Sequence, residues 1–145
     1  MNFEAQVYIK ELLLKMETNE LLWADFEKVE MRVGTIITVA DFPEAHKPAY
    51  QITIDFGSEI GIKKSSAQIT KRYQKEALIG KQIVAVVNFP KKQIGKFKSE
   101  CLILGSVGDG NDVVLLTSDM QVEKGSNNTT KNEATSANQT AQLPS

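Results

Sequence analysis

A single cysteine, a single histidine and a single tryptophan among 145 residues narrow the chemistry from the start. Cys101 has no partner for an intramolecular disulfide, which fits a reducing compartment, so the cytoplasm is the expected location. His46 stands alone in a proline-flanked loop, so a metal cluster or a Ser-His-Asp triad would rest on one residue. No glycine-rich loop of the Walker or dinucleotide type is present, and the acidic residues form no spaced pair that would suit acid–base catalysis. No apolar run approaches the roughly 18–20 residues needed to cross a bilayer, so membrane insertion is not expected. Glu4, Lys10, Glu11 and Lys15 interrupt the N-terminal apolar residues, unlike a secretory signal. The expectation is a chain with no catalytic residues, no metal and no cofactor.

What is present is an ordinary globular composition, 41% hydrophobic and 24% charged. The length suits one domain with terminal appendages. Net charge is only −1, but the charges are segregated. Ten basic residues against Glu76 and Glu100 give Ile60–Glu100 a net +8, leaving −9 on the remainder. Segregation of this kind produces either a basic face that attracts phosphates or a solvated scatter of lysines.

Three zones follow one another. Residues 1–22 are an N-terminal helical extension, since Phe3, Val7 and Leu14, with Ile9, Leu12, Leu13 and Met16, recur at helical steps. This helix is taken as a cap over the core, with docking or dimerisation as the alternative. Residues 126–145 are polar and low in complexity, expected to be a disordered tail that cannot offset the entropy of ordering. Residues 23–125 form the domain. A β-rich run covers Val33–Val39, with a bulge or bend expected at Gly34. Tyr50, Ile52, Ile54 and Phe56 alternate as a half-buried strand, and "IGIKKSSA" supplies a third. "QITKRYQKEALIG" reads as a helical connection stopped by Gly80. "QIVAVVNF" is a strand apolar on both faces, followed by "ECLILG" and "VVLLT". Five or more short strands with a helix between the third and fourth match an all-β protein with minor helix, an OB-fold built as a five-stranded Greek-key barrel.

In such barrels the second and third strands and the loops after strands one and four form the ligand face. Here they carry Phe42, Pro43, His46 and Lys47, then Lys63, Lys64, Ser65 and Ser66. The segment "NFPKKQIGKFKS", read as a loop, interleaves Phe89 and Phe97 with Lys91, Lys92, Lys96 and Lys98. Lysines neutralise phosphates and exposed aromatics stack on unpaired bases. Either phenylalanine could equally plug the barrel end. Cys101, in an apolar strand pattern, is expected to be a small core residue.

The segments "DFEKVEMRVGTI", "FPEAHKPAY", "IDFGSEIGIKKSSAQITKRY", "AVVNFP" and "FKSECLILG" closely resemble the CsaA-like branch of the tRNA-binding-domain family, from about Trp23 to Gly125. The resemblance implies an OB-fold, a homodimer with terminal segments at its interface, and no enzyme activity. It also implies a chaperone linked to protein export, within a wider family that binds tRNA through backbone and shape. Asn88 and Ser99 match the loop frame of the wider family. Where tRNA binders have Lys, Met, Arg and Gly, this chain has Gln93, Ile94, Gly95 and Lys96, a departure that favours the CsaA branch. Three expectations result. The first is a homodimeric chaperone binding unfolded or export-destined polypeptide in a groove lined by Phe42, Pro43, Phe89, Pro90 and Phe97. The second is a tRNA binder with Lys63, Lys64, Lys71, Arg72, Lys91, Lys92, Lys96 and Lys98 on phosphates and Ser65, Ser66, Asn88 and Ser99 as hydrogen-bonding positions. The third is a docking module for a translation enzyme.

Overall fold

The computed structural model describes residues 2–127. The polar tail expected from residue 126 therefore lies outside the described residues, apart from Ser126 and Asn127.

Helix α1 covers Phe3–Thr18, and the Asn2 side-chain oxygen accepts the Ala5 N–H at 2.7 Å as an N-cap. It does not cap the core as expected. Phe3, Val7, Tyr8, Ile9, Leu12, Leu13 and Leu14 are all exposed, because apolar residues lie on two faces of the helix and the barrel completes its core without them. A short α2, Trp23–Glu27, leads into the barrel.

Strand β1, Met31–Asp41, is rich in β-branched residues and long enough to serve two neighbours. Its first half pairs antiparallel with β4 (Gln82–Val86) and its second half with β2 (Tyr50–Asp55). The register shifts between Ile36 and Thr38, so the bulge falls at exposed Ile37 and not at Gly34. Gly34 has another purpose: a Cβ there would stand 2.4 Å from Ile54 Cγ2 and 2.7 Å from the Phe56 ring. Its missing side chain lets β1 lie against Ile54 and Phe56 in the core.

Strand β2 alternates as its period-two pattern predicts, with Tyr50, Ile52, Ile54 and the following Phe56 buried. Strand β3, Ile62–Ala67, pairs with β2. The connection to β4 is helical only over α3, Lys75–Leu78, shorter than its composition suggested. Ile69 is drawn into the core ahead of it; the helix ends at Ile79, already extended, and Gly80 at φ +89° turns the chain toward β4. All five β4 residues are buried. The chain then forms a hairpin, β5 (Lys92–Ile94) and β6 (Phe97–Ser99), the short β7 (Leu102–Ile103), and a second hairpin of β8 (Gly105–Val107) and β9 (Val113–Leu115).

The main sheet runs β3-β2-β1-β4-β7 and curls until its ends meet. At the seam the Glu100 N–H donates to Lys64 O at 2.7 Å, the Lys64 N–H donates to Glu100 Oε1 at 3.0 Å, and the Ser66 N–H donates to Ser99 Oγ at 3.3 Å. The result is mostly β, a nearly closed five-stranded antiparallel barrel of OB type with an N-terminal helix. Ile36, Ile52, Ile54, Phe56, Ile69, Leu78, Ile83, Ala85 and Cys101 fill it. The C-terminal segment is tied to the outside of the barrel. Gln82 donates to Val122 O and accepts the Val122 N–H, while Gly125 and Ser126 bond to Val33.

Substituting Gly34→Ala should destabilise the fold by about 1–3 kcal/mol, because the added methyl overpacks against Ile54 and Phe56. Urea midpoints of the two proteins check this, and equal midpoints would show that the core yields freely at this point.

Candidate nucleic-acid interface

The β5–β6 hairpin is the element that sequence reasoning took for a loop. Ile94 pairs with Phe97 across a two-residue Gly95-Lys96 turn, with Gly95 at φ +61°. A glycine between two short β-compatible runs was the signal available for it. The pairing Lys92 with Ser99 and Gln93 with Lys98 fixes the hairpin's lysines relative to one another, and β6 lies against β3. Lys64 on β3, Lys91 and Lys92 before and on β5, Lys96 at the turn and Lys98 on β6 are all exposed, with Lys92 and Lys98 on opposite sides of the hairpin. Lys63 is half-buried.

Glu100 lies between the Lys64 backbone and Lys91. Its Oε2 is 3.3 Å from Lys91 Nζ while Oε1 accepts the Lys64 N–H. Partial burial disfavours its charge. The Lys64 N–H and the ammonium groups of Lys91 and Lys63 more than reverse this and hold the carboxyl below its ordinary range. Sequence reasoning counted Glu100 only as one opposing charge. Its place as the sole acid between Lys91 and Cys101 was the available signal.

The polar candidates divide. Ser66 and Ser99 are half-buried and adjacent at the seam. Ser65 is 1% exposed and its hydroxyl donates to Cys101 O at 2.9 Å, so it faces the barrel interior and not a ligand. Period-two alternation along β3 puts it there, opposite in sense to Lys64 and Ser66. Asn88 is also committed: its Oδ1 accepts the Glu30 N–H and its Nδ2 donates to Lys28 O at 2.6 Å, which anchors the entry to β1.

The aromatic candidates divide as well. Phe42 is 4% exposed and packs against half-buried Phe97, with ring centroids 5.2 Å apart and planes tilted by 56°. Phe42 is thus a plug under the hairpin and not an open groove wall. Phe89, Pro90 and Pro43 are exposed. Glu44, Gln51, Gly95, Lys96 and Phe97 line a shallow cleft beside the plug.

Lys71 and Arg72 join a different group, at the turn between β8 and β9. The Arg72 guanidinium binds both Asp112 oxygens, with Nη2–Oδ2 at 2.8 Å, and this pairing holds Asp112 below and Arg72 above its ordinary value. Tyr73 braces the same hairpin, its hydroxyl accepting the Leu115 N–H at 3.0 Å, while Tyr50 donates to Tyr73 O at 2.7 Å. Arg72 therefore has a structural partner. Burial pushes the Cys101 thiol up to about 12, so it stays protonated at neutral pH and packs as a core residue.

Residues 31–127 match the model of the tRNA binding domain. The chain belongs to the tRNA-binding-domain family. Among solved structures, it is similar to the CsaA chaperone of Bacillus anthracis, with 50% identity and a TM-score of 0.73, over 76% of this chain and 99% of that one. The CsaA chaperone of Picrophilus torridus is similar at 52% identity and a TM-score of 0.71, over 76% and 100%. Among curated relatives, the methionine–tRNA ligase of Pyrococcus horikoshii is 34% identical over 109 residues, 75% of this chain. The chain spans only 14% of that ligase's length, so the likeness is to one module of an enzyme. Within the family, the CsaA structures are matched over their whole length.

Asp112 is a carboxylate whose folded-state value is lowered by Arg72, so its stabilisation is present above the ordinary carboxylate range and is lost as pH falls through that lowered value. Hydrogen exchange of the Val113–Leu115 amides should accelerate in that acid range, relative to the β4 amides. Asp112→Asn should show the same loosening already at neutral pH. Unchanged protection in Asp112→Asn would remove the tether from the account.

Proposed function

We propose that this chain is a non-catalytic, cytoplasmic binding protein that holds tRNA by its sugar-phosphate backbone on the face made by β3 and the β5–β6 hairpin. The observation that carries this reading is the gathering of Lys64, Lys91, Lys92, Lys96 and Lys98 on neighbouring elements, with Ser66 and Ser99 between them. Ammonium groups projecting from β3 and from both sides of the hairpin neutralise phosphates without needing base-specific contacts, and folded RNA is commonly recognised by shape and 2′-hydroxyl contacts. Exposed Phe89 beside the lysines is available to stack on an unpaired base. Membership of the tRNA-binding-domain family supports the same partner. His46, Lys71 and Arg72 are not needed for this face.

A second reading, capture of unfolded or export-destined polypeptide, draws support from the likeness to CsaA chaperones and from an apolar strip. Leu102, Ile103, Leu104, Val107, Val113 and Leu115 line an open groove beside β7. Homodimerisation belongs to the same proposal. Leu21 and Trp23 are exposed, and with Leu22 and Phe26 they line a shallow apolar pocket that a second copy would cover.

Fluorescence polarisation of labelled total tRNA tests the first reading. Binding should weaken as salt rises, with a log–log slope of roughly −0.7 to −0.9 per phosphate neutralised. A Lys91→Glu/Lys92→Glu/Lys98→Glu variant should lose it. Salt-insensitive binding, or none at low salt, would turn attention to polypeptide, whose capture by apolar contacts changes little with salt. Sedimentation at micromolar concentration should give the mass of two chains, and a lone 16.1 kDa species would overturn the dimer.

A further inference from the structure

The carboxylate that touches both the barrel seam and Lys91 is placed to do two separate things. Oε1 of Glu100 accepts the Lys64 N–H at 3.0 Å and so belongs to the barrel seam. Oε2 reaches Lys91 Nζ at 3.3 Å, and there the geometry is looser: the Glu100 side chain is 22% exposed and that of Lys91 60%. The seam holds the glutamate still through its own N–H on Lys64 O, while the lysine remains free to swing.

We propose that Glu100 is an internal competitor for phosphate, which holds Lys91 in the free protein and yields it when RNA docks. This rests on the nucleic-acid reading above. An ion pair whose lysine is exposed contributes little, so its opening costs little. Its effect is on the free state. With Glu100 charged, the surroundings of Lys91 and Lys63 present one unit less of positive charge. A lone phosphate or carboxylate then gains little by approaching, because what it wins from Lys91 it loses by repulsion from Glu100. A polyanion that reaches several lysines together overcomes that repulsion. Glu100 thus selects against small anions and acidic side chains in favour of a phosphate array. An acidic polypeptide, with sparser charge, is disfavoured by the same carboxylate.

Glu100→Gln separates the two tasks, since the amide oxygen still accepts the Lys64 N–H while the charge is gone. Its melting temperature should match the wild type. Its affinity for total tRNA at low salt should rise by about threefold to tenfold, the scale of a removed surface charge at contact distance. In a Lys91→Ala background the same change should give at most a small part of that gain. Asp119→Asn removes equal charge beside Gly80–Gln82 and should leave affinity unchanged. A wild-type measurement needs no variant: the Glu100 carboxylate carbon resonance should move as a short RNA hairpin is added. Glu100→Gln binding like wild type, an equal gain without Lys91, or an unmoved carboxylate resonance during RNA binding would each overturn the proposal. Failure of the wild type and every variant to bind tRNA at low salt would overturn the nucleic-acid reading itself, and this inference with it.

Discussion

A five-stranded antiparallel sheet hides its edges only by closing on itself, and here closure depends on the bonds between β3 and the Ser99–Cys101 segment. Each side supplies backbone and side chain to the other: Glu100 N to Lys64 O, Lys64 N to the Glu100 carboxylate, Ser66 N to Ser99 Oγ, and Ser65 Oγ to Cys101 O. The inner member of this set, Ser65, is a buried hydroxyl that the strand can tolerate only because Cys101 O accepts from it. Isolated edges would leave the same groups exposed as a template for pairing with other chains.

The seam also builds the candidate interface. Alternation along β3 sends Ser65 and Ala67 inward, which obliges Lys64 and Ser66 to face outward. Seam pairing then places β6 beside β3, and the hairpin register puts Lys92 with Ser99 on one side of the hairpin and Lys98 with Gln93 on the other. Phe42 and Phe97 support the hairpin from below. The barrel end thus presents ammonium groups on flexible stems, a division that would suit an irregular phosphate backbone: the scaffold fixes where the charges originate and lysine stems can adapt to where phosphates are.

Much of this was legible in the residues, and the exceptions have physical causes. The alternation Tyr50, Ile52, Ile54, Phe56 and the wholly apolar Ile83–Val87 run marked strands because burial on one face or two is written directly in the pattern. The bulge was not, since any residue fits one, and Gly34 drew attention for a property that the core needed instead. The chain after Ala67 carries good helix formers, yet the core claims Ile69 and leaves a single turn at Lys75–Leu78. At the interface, charge clustering along the sequence pointed to the hairpin lysines. It could not separate Arg72, whose partner Asp112 is forty residues away, from lysines without so close a partner. Asn88 and Ser65 matched a ligand-facing expectation by residue type alone, whereas their hydrogen bonds go to the protein's own backbone.

The near-zero net charge then acquires a meaning that the average conceals. At physiological salt a charge is felt over only about 8 Å. Beyond that distance a molecule carrying −1 neither attracts nor repels a polyanion appreciably. Within it, an approaching phosphate meets the local face, where five exposed lysines outweigh Glu100. On the proposed reading, orientation is selected at contact range: acidic regions elsewhere would turn RNA away, and the β3–hairpin region would accept it. A uniformly basic protein of the same size would gain encounter rate but would hold RNA in many orientations. On the proposed reading, segregated charge gives up that rate for a single mode of docking, and Glu100 beside Lys91 would raise the number of phosphates that must be engaged before docking is favourable.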